Sequence, residues 1–439
     1  MNNQRLLTGL LAAALSGGAL CASGQEQCTF SLEELYKIAE TGSTRLRQSF
    51  SAEEEALSDI EIARDSRLPD IQARASFSFI GDGFTTKRDF SDTQKAPIPH
   101  FGNNVGISVN QPVYTGGAIT HGIELATLKS AAARHSTEIC REEIRFRLTD
   151  LYLDIYKCEN LRRVVESNLE SARKMLAEMQ ARHEQGVALH NDITRYELLV
   201  SDLELNLTKL DNTLDILNRS LTVTAGLPEQ TKIIPDTTIL GRALPVHTEK
   251  WWQQEASMHS PTLKMARTGV DISRKAEQLA KSEKLPKIGL MAGWSLDGPI
   301  LTEVPPIDRN LSYWYVGVGV NYNISSLFKT DKTLRQKRIA TRHAVESLDT
   351  ESENVALAIR ADHIRYLQAY EELKTRTKGV ELAEKNYNVI STRYSAGMAL
   401  ITDMLDAADA RLDAEQQLVN ARIDIIRYYY KLLLTSGKI

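Results

Sequence analysis

Asp403 and Asp406 are the carboxylates whose placement points most directly to chemistry. They lie three residues apart in Asp403-Met404-Leu405-Asp406-Ala407, so on a helix both share one face. Beside a passage such a pair selects cations. At a helix start the same groups are favoured by the dipole alone. An earlier stretch carries Asp192 in the place of Asp403, but Arg195 in the place of Asp406. The nine histidines are scattered. His183-Glu184 followed by His190 has a superficial likeness to a zinc-binding helix, but the spacing is wrong and Gly186 breaks the helix between them. No metal site is expected. There is no phosphate loop, no cysteine pair at metal spacing and no nucleophile motif, so neither an enzyme nor a cofactor is expected.

Both carboxylate stretches close one repeated turn. Arg182-His183-Glu184-Gln185-Gly186-Val187-Ala188-Leu189-His190-Asn191-Asp192 aligns with Arg393-Tyr394-Ser395-Ala396-Gly397-Met398-Ala399-Leu400-Ile401-Thr402-Asp403, with Arg, Gly, Ala, Leu and Asp in register. A shared glycine is what a helix needs where it stops and reverses, because glycine takes the left-handed conformation without steric cost. Each copy reads as the tip of a helical hairpin.

The flanking elements repeat as well. A capped helix, Ser31 to Arg67, leads through Leu68-Pro69 to a strand in which Ile71, Ala73, Ala75, Phe77 and Phe79 alternate with polar residues. A second strand alternates Val105, Ile107, Val109 and Val113 with Gly106, Ser108 and Asn110. A helix from Ala118 to His183, about 100 Å long at its usual rise, carries Ile144, Leu148, Leu151, Ile155, Cys158, Val165, Leu169, Ala172, Leu176 and Met179 at alternating steps of four and three. Arg162 alone interrupts the row, its stem packed and its charge snorkelling outward. A return helix runs from Asp192 to Ala225. Then Trp251-Trp252 open another helix to Lys284, one Trp anchored in the core and the other at an edge. Leu285-Pro286 starts two more strands, Ile288 to Leu296 and Trp314 to Ile324, followed by a long helix from about Asp331 to Ser395 and a return helix to Leu434. The expected organisation is a signal peptide over 1–24, a first repeat over 25–228, a connecting segment over 229–247 and a second repeat over 248–439.

Composition narrows the function. The formal charge of −4 becomes −5 once the signal's Arg5 is removed, too mild to suggest a nucleic acid partner. Cys21 could alternatively be lipidated, although bulky Leu20 precedes it. Cys28, Cys140 and Cys158 are too few for a disulfide framework and read as buried small apolar residues; Cys140 and Cys158 would lie about 27 Å apart on one helix. No later apolar run reaches the roughly 18 residues of a membrane helix. The four strands, however, each set an apolar face against Gly, Ser, Asn or Gln, as a barrel wall between lipid and water does. A sheet in lipid must close, and four strands are too few to enclose water, so the membrane reading requires an oligomer.

The duplicated plan, the Leu-Pro pairs before the strands, Gln111-Pro112-Val113-Tyr114-Thr115-Gly116-Gly117 and the segment Gly397 to Ala407 resemble the TolC-like outer-membrane efflux protein family over essentially the whole mature chain. The resemblance implies a fold that is mainly α with a membrane β-barrel portion: long duplicated hairpins forming an α-barrel, and four strands per protomer closing a 12-stranded barrel as a homotrimer. It implies a passive exit duct in the outer membrane of a Gram-negative bacterium, in contact with lipid, serving a periplasmic adaptor and an inner-membrane pump in efflux or type I secretion. Asp403 and Asp406 would line the periplasmic aperture. Tyr394 would link to Asp192; where some relatives carry an Arg link this chain has Ala399, so the closed state would be held less tightly, or held by Arg195 instead. Gly186, Val187, Ala188, Gly397, Met398 and Ala399 would receive the adaptor, although the glycines alone need no partner. Ser325-Ser326-Leu327-Phe328-Lys329-Thr330 departs from the family's usual run after the fourth strand. The competing reading is a periplasmic coiled-coil adaptor or scaffold, which would have no use for the strands' apolar faces.

Overall fold

The computed structural model describes residues 27–187, 189–236, 244–303 and 306–439. The signal peptide with Cys21, the side chain of Cys28 and the tip residue Ala188 lie outside what it describes. In chain order the elements are β1 (Gln27–Phe30), α1 (Leu32–Gly42), α2 (Thr44–Asp65), β2 (Asp70–Phe79), β3 (Gly83–Thr85), β4 (Gln94–Ala96), β5 (Phe101–Tyr114), α3 (Ala118–Glu184), α4 (His190–Ala225), β6 (Lys232–Pro235), α5 (Glu249–His259), α6 (Pro261–Ser282), β7 (Lys287–Gly298), β8 (Leu311–Asn321), α7 (Ser326–Ser395) and α8 (Ile401–Ser436). Two compact units result. One takes Met1–Phe50, Ser136–Leu263 and Glu351–Ile439, and the other Ser51–His135 and Lys264–Thr350.

The first unit is helical. At its start Ser31 accepts from the Glu34 amide, and the Glu34 carboxylate accepts in return from the Ser31 amide at 2.8 Å, closing a capping box. The heptad row on α3 is buried from Ile144 to Met179, with Leu176 half-buried. Arg162 interrupts it with an ion pair to Asp211 at 2.7 Å and another to Glu166 at 3.0 Å, a way to carry charge at the edge of an apolar seam. A second cluster joins Trp252 and Ala256 of α5 to Ile359, Tyr366 and Ala369 of α7 and Ile425 and Leu432 of α8. Trp252 is buried while Trp251 stacks on His247 at 3.8 Å.

Three expectations need correction here. The single helix over 31–67 breaks at Ser43, whose ψ is 120°. There the chain meets the end of α4: a Cβ on Gly42 would stand 2.5 Å from the Ala225 carbonyl oxygen. The single helix from Trp251 to Lys284 breaks at Ser260, because Pro261 pushes its predecessor out of the helical region. Finally, the segment after Gly226 is not merely connecting: β6 pairs in parallel with β1, and Asn218 holds it by accepting from the Ile233 amide and donating to the Thr231 carbonyl, both at 2.9 Å. Four residues are too few for alternation to announce such a strand.

The second unit carries a four-stranded antiparallel sheet in the order β2-β5-β7-β8, whose outer strands β2 and β8 have no further neighbour among the described residues. Register aligns like with like. Ile71, Val109, Ala292 and Val316 form one cross-strand row, and Ala73, Ile107, Trp294 and Trp314 the next. This apolar face is open, with Val316 72% and Val318 66% exposed. On the opposite face Gln72, Ser108 and Gly293 align with Tyr315, whose ring lies where a Cβ on Gly293 would come within 2.7 Å of it. Pro112 cannot donate to the ladder, and β5 slips register between Pro112 and Tyr114. The polar stretch between β2 and β5 holds a small unforeseen hairpin, β3 with β4. β8 ends at Asn321, leaving Tyr322 and Ile324 beyond it, and α7 begins at Ser326, earlier than expected. Among the described residues no helix is long and apolar enough to cross a membrane.

Candidate functional site

The two tips share one backbone device. At the end of α3, Gly186 has φ +75°; its amide donates to the His183 carbonyl at 2.8 Å, and the Val187 amide to the Arg182 carbonyl at 3.0 Å. At the end of α7, Gly397 has φ +74°; its amide donates to the Tyr394 carbonyl at 2.9 Å, and the Met398 amide to the Arg393 carbonyl at 2.8 Å. These paired bonds satisfy the last helical carbonyls only if one residue turns left-handed. A Cβ at either glycine would meet nothing within 4 Å, so the backbone alone demands glycine.

Both tips are held in one apolar cluster. Met179 of α3, Ile193 and Tyr196 of α4, Tyr394 of α7 and Met404 of α8 are buried in it together. Tyr394 reaches across to the first tip. Its hydroxyl donates to Asp192 Oδ2 at 3.5 Å, long for such a bond. Burial pushes its phenol pKa up, the Asp192 charge adds to this and Arg182 opposes it. Arg182 lies over the Tyr394 ring at 5.9 Å and donates to the Tyr394 carbonyl at 3.4 Å. Ser395 donates to Glu178 at 3.1 Å alongside.

The remaining candidate residues are spread along α4 and α8. Asp403 is exposed and accepts from the Leu400 amide at 3.1 Å, which satisfies an orphan donor at the start of α8. Asp406 is exposed one turn further on. Asp409 has its carboxyl pKa raised by burial first, and then by the charges of Asp406 and Asp202. Arg195 is exposed on the rim of a groove of about 340 Å³ that also takes in Asp202 and Asp409. At the tips Val187 and Met398 are exposed, as are Leu189 and Leu400, whereas Ala399 packs against the cluster.

Arg182, Glu178, Asp202 and Asp409 join the site only in three dimensions. Arg182 was visible as the arginine shared by both turns, and Leu189 and Leu400 as their shared leucine. Asp202 and Asp409 carried no signal, because only packing of α4 beside α8 makes them neighbours.

The outer membrane efflux protein family matches residues 35–227 and 252–437. Over 438 residues the chain is 24% identical to the outer membrane efflux protein BepC of Brucella suis biovar 1, covering 98% of this chain and 90% of that one. It is 20% identical to the outer membrane protein TolC of Vibrio cholerae serotype O1, covering 92% and 90%. Its fold superposes on the crystal structure of the outer membrane protein VceC from Vibrio cholerae with a TM-score of 0.76 at 15% identity, covering 92% of this chain and 96% of that one. The chain therefore belongs to the family of outer membrane efflux proteins and is itself an outer-membrane protein.

Proposed function

We propose that three copies of this chain form a passive exit duct of a tripartite efflux or type I secretion system. The sheet of each copy contributes four strands to one closed 12-stranded barrel, and the hairpins enclose a periplasmic passage. What carries this reading is the open sheet: its apolar face is exposed and its two outer strands pair with no further strand among the described residues, an arrangement that lipid tolerates only after closure with further copies. The apolar rows face lipid, and the Gly, Ser, Asn and Tyr rows face water.

At the periplasmic end, Asp403 and Asp406 become two acidic rings that favour cations. Tyr394 with Asp192 holds the two tips together, and Arg195 adds a positive charge beside the acidic groups of α4 and α8. A periplasmic adaptor, coupled to an inner-membrane pump, docks on Gly186, Val187, Gly397, Met398 and Ala399, together with Ala188. The chain is also 23% identical over 344 residues to the alkaline protease secretion protein AprF of Pseudomonas aeruginosa, beside its likeness to the efflux protein BepC, so small molecules and polypeptides are both candidate cargo.

The test is extraction from the outer membrane in detergent, mass determination, and planar-bilayer conductance with the Asp403→Ala/Asp406→Ala variant beside the parent. A conducting trimer whose cation preference drops in the variant is expected. A monomer or dimer without conductance would overturn the duct and favour a scaffold.

A further inference from the structure

Gly186, which on the sequence argued against a zinc-binding helix, has the opposite effect in three dimensions. By reversing the chain it brings the ring of His183, in the last turn of α3, to within 5.7 Å of the ring of His190, the first residue of α4, measured between ring centres, with the planes 40° apart. Both residues are exposed. We propose that these two imidazoles chelate one late first-row divalent cation, Zn²⁺, Ni²⁺ or Cu²⁺, across the first tip.

The spacing suits a shared ion. With metal–nitrogen bonds of about 2.0–2.1 Å, an ion lies about 3.2 Å from each ring centre, and two ligands at a tetrahedral angle then have centres about 5.2 Å apart. Centres 5.7 Å apart correspond to a wider angle at the ion, about 126° with the same bond lengths. Imidazole is a favoured ligand for these three ions. On the α3 side the bonds from Gly186 to His183 and from Val187 to Arg182 fix the backbone that carries His183, which lowers the ordering cost of binding there.

The site is open. Among the described residues no group of three or more His, Cys, Asp or Glu could hold a metal, so the ion takes two protein ligands and completes its shell with water. Such a site exchanges its ion readily and releases it on acidification, since the rings bind unprotonated. A bound ion ties the end of α3 to the start of α4. The second tip has no counterpart, because Tyr394 and Ile401 stand in the matching positions. Both ligands come from one chain, so the proposal does not depend on the duct reading.

The experiment uses the full chain in detergent, without an affinity tag, titrated calorimetrically with ZnCl₂ and examined by electron paramagnetic resonance with one equivalent of Cu²⁺. The parent should bind one ion per protomer and show splitting from two imidazole nitrogens. His183→Gln and His190→Gln should each remove one nitrogen from the spectrum and weaken binding about 10- to 100-fold, at least what loss of an outer-shell partner does to a metal site. His343→Gln, an exposed histidine elsewhere, should change neither. Circular dichroism checks that each variant keeps its helices. Absence of stoichiometric binding by the parent, or binding that survives in the double variant, would overturn the proposal.

Discussion

At the first tip His183 occupies the place that Tyr394 holds at the second, and the two rings go opposite ways. Tyr394 turns inward, is buried, and meets Asp192 and Arg182. His183 stays exposed and faces His190. The backbones around them are nearly superposable in their hydrogen bonds and glycine φ values. Duplication has thus kept the turn and released the side chains, so that one copy anchors the pair of tips and the other presents polar groups to water.

The sharpest way to break that contrast is truncation of the two rings. Tyr394→Ala should lower the local stability of the tips by about 3 kcal/mol, the range for emptying a buried aromatic site. His183→Ala should fall within about 0.5 kcal/mol of the parent in metal-free buffer. Hydrogen exchange of the amides at 186–190 and 397–401 reads both; equal effects would show that the tips are not differentiated.

The backbones should behave alike. Gly186→Ala and Gly397→Ala should each lose about 1–2 kcal/mol, the penalty for placing a Cβ in a left-handed residue, because the space around both is open. Thermal unfolding of the two variants should therefore agree, and a clear difference would mean that one turn is held by contacts rather than by its own conformation.

The acidic groups separate the tips more gently. Asp403→Ala removes the acceptor for the Leu400 amide and should cost about 1 kcal/mol, while Asp403→Asn should retain most of that. Tyr394→Phe removes only the long bond to Asp192 and should cost about 0.5 kcal/mol. Chemical denaturation of the three variants beside the parent ranks them.

The smallest effect concerns pH. Asp409 has a raised carboxyl pKa, so the folded state holds its proton more tightly than the unfolded chain does. The resulting stabilisation is complete below the ordinary value of 3.8 and is lost as pH rises through the raised value. Asp409→Asn should flatten the stability profile over that window. An unchanged slope would show that Asp202 and Asp406 do not press on this group.

Much of this was legible in the chain. The α3 seam from Ile144 to Met179 and the four strands followed from periodicity, because burial on one face of a regular element leaves a regular trace. Ser43 and β6 were not legible: the first is a bend where α1 meets the end of α4, and the second is four residues whose partner lies far away in sequence. At the site, the Asp192 and Tyr394 pairing could be named from the repeat and the family resemblance, but Asp202 beside Asp409 could not.

By itself the sequence determined the local devices: two glycine turns, long heptad helices and alternating strands. Each depends on residues a few positions apart, where backbone sterics and side-chain period act directly. Only the tertiary structure decided which way each tip's side chains face. Gly186 illustrates the difference, since the residue that ends a helix also folds the next one back beside it. Two histidines that no helical spacing could join then face each other across the turn.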